Sequence, residues 1–234
     1  MAAGIESRFR LQSAIITGMN RSALLRAVGL NLLLMSLLWS QGSQRQPNFH
    51  APPPKPTSAY DTPLTGYEVA ILTAEFIVNL ERGLTEAFQK PISTAGTGAV
   101  QLEGKHPAWV QPALKELKAR GAIPPRFSAG NPMPRYQVGQ MLAQYAQRLD
   151  AQMRTQLGAP HGKTRFETQP TIKLDRNHPA YRALQYLAQG GWIGAGSPLY
   201  REPTKPVLGK ELPDMLRDVA QRILERYRDE PHLQ

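Results

Sequence analysis

Apolar side chains at Val138, Met141, Leu142, Tyr145 and Leu149 fall at i, i+3, i+4, i+7 and i+11. That stripe covers one face of a 3.6-residue helix. Related stretches begin at Pro63 ("PLTGYEVA"), Pro132 ("PMPRYQVG") and Thr204 ("TKPVLGKEL"), nearly seventy residues apart. Aligned on these, Val69, Val138 and Leu208 coincide, as do Phe76, Tyr145 and Met215, and Leu80, Leu149 and Val219. Each copy predicts one amphipathic helix entered from a proline turn, with Pro63, Pro132 and Pro203 ahead of it.

A shorter pattern precedes two of these helices: "HPAWVQPALKELKARGAI" from His106 and "HPAYRALQYLAQGGWI" from His178. Trp109, Ala113, Leu114 and Leu117 form one apolar face; Tyr181, Leu184 and Leu187 form its counterpart after a two-residue deletion. Gly121 and Gly191 stand where a helix ends in a left-handed residue, and Ile123 and Ile193 follow as apolar plugs. The unit is helix, glycine-ended loop, proline turn, helix. One such unit buries too little surface to be stable alone, so neighbouring copies are expected to pack together. The copy at Pro63 lacks a first helix, and residues 89–105 and 158–177 read as connectors.

Residues 27–39, "AVGLNLLLMSLLW", form an apolar run shorter than the ~20 residues that cross a bilayer. Arg21 and Arg26 precede it, and Ser40 and Gly42 supply small residues after it. Residues 1–42 therefore read as a signal peptide, with Met19 the candidate start, or as a membrane anchor; a buried amphipathic helix is the third reading. The Pro-rich residues 43–62 read as an extended spacer. Either leader reading directs the chain out of the cytoplasm, with membrane contact only through an uncleaved N-terminus.

Composition narrows the partners. The 234 residues hold 28 Lys and Arg against 18 Asp and Glu, a formal charge of +10 that favours polyanions. The absence of cysteine excludes disulfides and thiol chemistry. No His-Glu-x-x-His or other ligand spacing points to a metal, and no acid/base couple points to catalysis. Glu75 and Glu81 read as solvated helix charges, "RDVAQRILERYRDE" as a solvated face, and His106 and His178 as capping or packing residues.

With these motifs the chain resembles the S-layer homology (SLH) family. The resemblance rests on "HPAWVQPALKELKARGAI" with "NPMPRYQVGQMLAQYAQRL", on "HPAYRALQYLAQGGWIGAG" with "EPTKPVLGKELPDMLRDVAQRI", and on the partial copy "TPLTGYEVAILTAEFIVNLERGL". It implies an all-α fold of tandem helix-loop-helix repeats packed as a pseudo-threefold bundle: a partial repeat and connector at 63–105, a repeat and connector at 106–177, and a repeat at 178–234. It also implies a non-enzymatic, cofactor-free function, the attachment of an exported protein to an acidic, often pyruvylated, wall polysaccharide or to peptidoglycan. Export through the leader makes nucleic acid a poor candidate partner, and a cytoplasmic nucleic-acid-binding protein is the reading only if residues 27–39 are not a signal; other envelope proteins are the alternative partners.

The family's Thr-Arg-Ala-Glu motif maps to Thr65–Glu68, to Pro134–Gln137 and to Thr204–Val207, incomplete in each copy. The resemblance thereby nominates Arg135, Lys205, Thr65, Glu68 and Gln137 as polysaccharide contacts, with Trp109 and Tyr181 as ring-stacking residues. Arg135 at a helix start could meet a carboxylate with two parallel hydrogen bonds, and Lys205 could offer a point charge. Ordinary solvated cations and core aromatics are the alternative reading of these side chains. If the motif has decayed, a helical protein-interaction module of the envelope is the alternative function.

Overall fold

The computed structural model describes residues 61–96, 101–157 and 169–228. Residues 1–60, and with them the leader and most of the spacer, lie outside the described residues. The fold is all-α: α1 (Gly66–Phe88), α2 (Gln111–Ala119), α3 (Arg135–Leu157), α4 (Tyr181–Gly190), α5 (Pro198–Arg201) and α6 (Glu211–Arg228). Among the described residues there is no strand, only three isolated bridges, and no helix long and apolar enough to cross a membrane.

The short helices pack on the long ones that precede them, α2 on α1 and α4 on α3. Both end through a left-handed glycine, Gly121 at φ 59° and Gly191 at φ 66°. In each case the next amide turns back onto the helix, Ala122 N–H to Leu117 O at 2.8 Å and Trp192 N–H to Leu187 O at 3.0 Å. The stripes face inward: Val69, Leu80, Leu114, Leu117, Val138, Leu149, Leu184 and Leu187 are all buried.

The turns that enter α1, α3 and α6 meet one another. Leu64 N–H donates to Val207 O, Val207 N–H to Met133 O, and Met133 N–H to Leu64 O, each at 2.9 Å, closing a ring of three bonds. A second set lies beside it: Gly66 N–H to Asn131 O at 3.0 Å, Arg135 N–H to Lys205 O at 2.9 Å and Gly209 N–H to Thr62 O at 3.1 Å. Prolines 63, 132, 134 and 206 flank the ring and have no N–H, so pairing stops after each bridge. Leu64, Met133 and Val207 are buried. Burying each side chain is worth roughly 1.5–3 kcal/mol, against about 1 kcal/mol net for one hydrogen bond. Apolar burial therefore holds the ring, and the hydrogen bonds fix its register.

That register differs from the sequence alignment in the third copy. Pro206, not Pro203, sits with Pro63 and Pro132, and Leu208–Glu211, not Thr204–Val207, holds the place of Thr65–Glu68. Leu212, Val219 and Ile223 consequently occupy the places expected for Leu208, Met215 and Val219. The reason is α5, a one-turn helix between Ile193 and Pro206 that has no counterpart between Ile123 and Pro132. Its four residues nearly equal one helical turn, so the slipped and true registers present the same stripe.

Candidate functional site

The nominated residues begin at helix N-termini, where free amides need acceptors. Thr65 and Glu68 form a reciprocal capping box on α1: Thr65 N–H donates to Glu68 Oε2 at 2.8 Å, and Glu68 N–H donates to Thr65 Oγ1 at 3.4 Å. Thr65 Oγ1 also donates to Glu68 Oε2 at 2.9 Å. Gln137, buried on α3, accepts Ser128 N–H at 3.1 Å and Ser128 Oγ–H at 3.0 Å through Oε1. These three side chains hold the turns.

Arg135 points inward. Only 4% exposed, it forks onto Glu211, with Nε 3.0 Å from Oε2 and Nη2 2.6 Å from Oε1. Its Nη1 donates to Glu202 Oε2 at 3.1 Å and to Glu202 O at 3.3 Å. The carboxylate expected from an outside sugar is thus supplied from within, by the acid at the start of α6. Glu211 also accepts Leu208 N–H at 3.1 Å, so one side chain caps α6 and binds α3 to it. Lys205 lies in the turn before the ring rather than at a helix start. Its Nζ is 2.5 Å from Glu202 Oε1, so Glu202 brings Lys205 and Arg135 together. Hydrogen bonding from Lys205, with help from Arg135, holds the Glu202 carboxyl below its ordinary range.

Gly66 stands where Arg135 stands in the next copy, and packing accounts for the missing side chain. A Cβ there would lie 2.7 Å from Ala129 N and 2.8 Å from Ala129 O. The loop carbonyls of Ala129 and Asn131 accept the first amides of α1, which draws the two backbones together.

The two aromatics separate. Trp109 packs against the core and meets Tyr67 edge-on at 5.7 Å between centroids. Tyr181, at the first position of α4, lines an open cleft instead. The histidines pair with tyrosines in both copies: Tyr67 Oη and His106 Nδ1 are 3.1 Å apart, and His178 lies 4.7 Å from the Tyr136 ring. His178 Nδ1 accepts Ala180 N–H at 3.1 Å, tying the turn that leads into α4.

Two charges expected in solvent are buried. Glu81, 4% exposed, accepts Arg120 Nη2 at 2.8 Å and Nε at 3.1 Å, and Thr94 N–H at 2.9 Å. Burial works to lower the Arg120 pKa, but Glu81 and Glu116 overcome it and leave the guanidinium above its ordinary value. Arg226, within the stretch read as a solvated face, lies over the Trp192 ring at 3.9 Å, donates to Gly190 O and pairs with Asp150 at 3.7 Å. Sequence reasoning also missed Glu202, Glu211 and Arg176. The acid of "LGKE" at Leu208–Glu211, aligned with "TGYE" at Thr65–Glu68, is the signal that could have found Glu211.

Among the described residues, no group of three or more His, Asp or Glu side chains could hold a metal ion. Comparison of the chain with protein-family models, with curated proteins and with solved structures finds no match.

Proposed function

We propose that this chain is a non-enzymatic attachment module of the cell envelope, built from SLH-like helix-loop-helix repeats about a pseudo-threefold centre and binding an acidic wall polysaccharide or peptidoglycan. The observation that carries the reading is the ring of three hydrogen bonds joining the turns ahead of α1, α3 and α6. Three chain segments with the same role, each opening a long amphipathic helix, are what a three-module arrangement requires. The formal charge of +10 supports a polyanionic partner.

The inward pairing of Arg135 favours a second reading, an envelope protein-interaction module whose polysaccharide motif serves only the fold. Co-sedimentation of the purified protein with cell-wall sacculi, before and after acid extraction of wall polysaccharide, separates the two. Attachment that disappears on extraction and weakens with salt supports polysaccharide binding. Absence of sedimentation with either sample sinks it and leaves the protein-interaction reading.

A further inference from the structure

Connector residues 169–176 and α4 enclose an open cleft of about 720 Å³. Its lining is mostly polar, with Ile172, Leu174 and the buried Ala188 as apolar members. Tyr181, Gln185 and Gln189 stand at i, i+4 and i+8 along α4 and form one wall. Arg176, exposed, lines the same cleft from the connector. The geometry around Arg176 is fixed locally: Lys173 N–H donates to Tyr200 O at 2.8 Å, Asn177 N–H to Asp175 Oδ1 at 2.7 Å and His178 N–H to Asp175 O at 3.0 Å.

The side chains are not occupied by the fold. Among the described residues, Arg176, Gln185 and Gln189 form no side-chain hydrogen bond or ion pair, unlike Arg135, Arg120 and Arg226. Nor does the helix pair need them. The positions on α2 that match Tyr181, Gln185 and Gln189 are Gln111, Lys115 and Ala119, and Gln111 there is spent on His106 O at 2.9 Å. A guanidinium fork, two primary amides with two donors and one acceptor each, and an aromatic ring in a mostly polar cleft suit a polyhydroxyl chain bearing a carboxylate.

We propose that this cleft is a subsite for one or two residues of a carboxylate-bearing glycan. Arg176 meets the carboxylate, Gln185 and Gln189 pair with hydroxyls, and the Tyr181 ring lies against a sugar face. The assignment rests on the wall-polymer reading for its biological ligand. It moves the anion contact away from Arg135, whose donors are already used.

The test is an amide chemical-shift titration of the full chain with tetragalacturonate and, separately, with the uncharged maltotetraose, run beside sacculus co-sedimentation. Expected are shifts confined to residues 169–176 and α4, stronger with the acid. Arg176→Gln should weaken tetragalacturonate about tenfold, the loss typical of one charge-assisted contact. Tyr181→Ala should weaken both glycans. Lys115→Gln, at the matching site on α2, should leave binding unchanged. Absence of shifts in the cleft, or equal loss in Arg176→Gln and Lys115→Gln, overturns the subsite. If no shifts appear in the cleft while wild type and Arg176→Gln both sediment with sacculi to the same extent, the cleft is wrong and the attachment reading survives. If tetragalacturonate binds the cleft while sacculi are ignored, the cleft stands and the wall reading falls.

Discussion

Arg120, which follows α2, and Gly190, the last residue of α4, occupy the same place: each immediately precedes the left-handed glycine that closes its helix. Their acidic partners match as well, since Glu81 and Asp150 lie at equivalent points along α1 and α3. In the first pair the C-cap of the short helix supplies the cation. In the second it cannot, and Arg226 from α6 reaches across to both Gly190 O and Asp150. Trp192 fills the room beside Gly190, its Nε1 2.4 Å from where a Cβ would be, and stacks beneath Arg226. A buried acid requires a cation, and the fold meets that requirement from whichever neighbouring helix has one.

The comparison breaks most sharply at Arg120. Arg120→Ala leaves Glu81 buried with only Thr94 and Ser93 as hydrogen-bond donors. Removing one partner of a buried pair costs roughly 3–5 kcal/mol. Urea denaturation should show a loss of that size, and a change below about 1 kcal/mol would mean that water reaches Glu81. Arg226→Ala should cost less, roughly 1–3 kcal/mol, because Asp150 keeps Arg154 at 2.6 Å and that arginine is largely exposed. If the order of the two losses is reversed, the cation–π contact with Trp192 outweighs the charge pairing.

A third difference lies where the helices cross. Ala70 on α1 corresponds to Gly139 on α3, and a Cβ at Gly139 would stand 2.3 Å from Leu184 Cδ2. Leu184 is fully buried, so the added methyl displaces packed neighbours. Gly139→Ala should therefore lose roughly 1–3 kcal/mol to overpacking, offset by about 1 kcal/mol of helix propensity. Differential scanning calorimetry should show a lower Tm. A raised Tm would mean that α4 can slide away from α3 without cost.

The apolar stripes, the glycine-ended helices and the proline turns were legible because each is local: a period, a left-handed cap, a missing N–H. The third register was not, because α5 adds nearly one helical turn and leaves the stripe looking unchanged. The burial of Glu81 and of Arg135 was not legible for a different reason. An acid on an amphipathic helix reads as solvated until its partner is known, and Arg120 is 39 residues from Glu81, Glu211 76 residues from Arg135. Of the nominated residues, Thr65, Glu68 and Gln137 serve caps and turns, Arg135 pairs with Glu211 and Glu202, and Tyr181 lines an open cleft. Arg176 carries no motif, and its proximity to α4 exists only once the connector folds back on that helix.

The smallest contrast is one hydroxyl. Tyr145 on α3 matches Phe76 on α1, and the Tyr145 side chain is fully buried with its Oη lacking a hydrogen-bond partner among the described residues. An unpartnered buried hydroxyl forfeits its hydration, so Tyr145→Phe should leave stability unchanged or raise it by up to about 1 kcal/mol. The same burial, reinforced by the charge of Glu81, raises the phenol well above its ordinary value of 10.0. A group with a raised folded pKa contributes stability that is intact below the unfolded value and is lost as pH rises beyond it, because only the unfolded phenol ionises readily. Wild-type stability should accordingly begin to fall above pH ~10, and the Tyr145→Phe chain should fall less steeply over that window. Parallel alkaline limbs in the two chains would mean that the hydroxyl reaches solvent; a large destabilisation of the variant at neutral pH would mean that Oη has a partner after all.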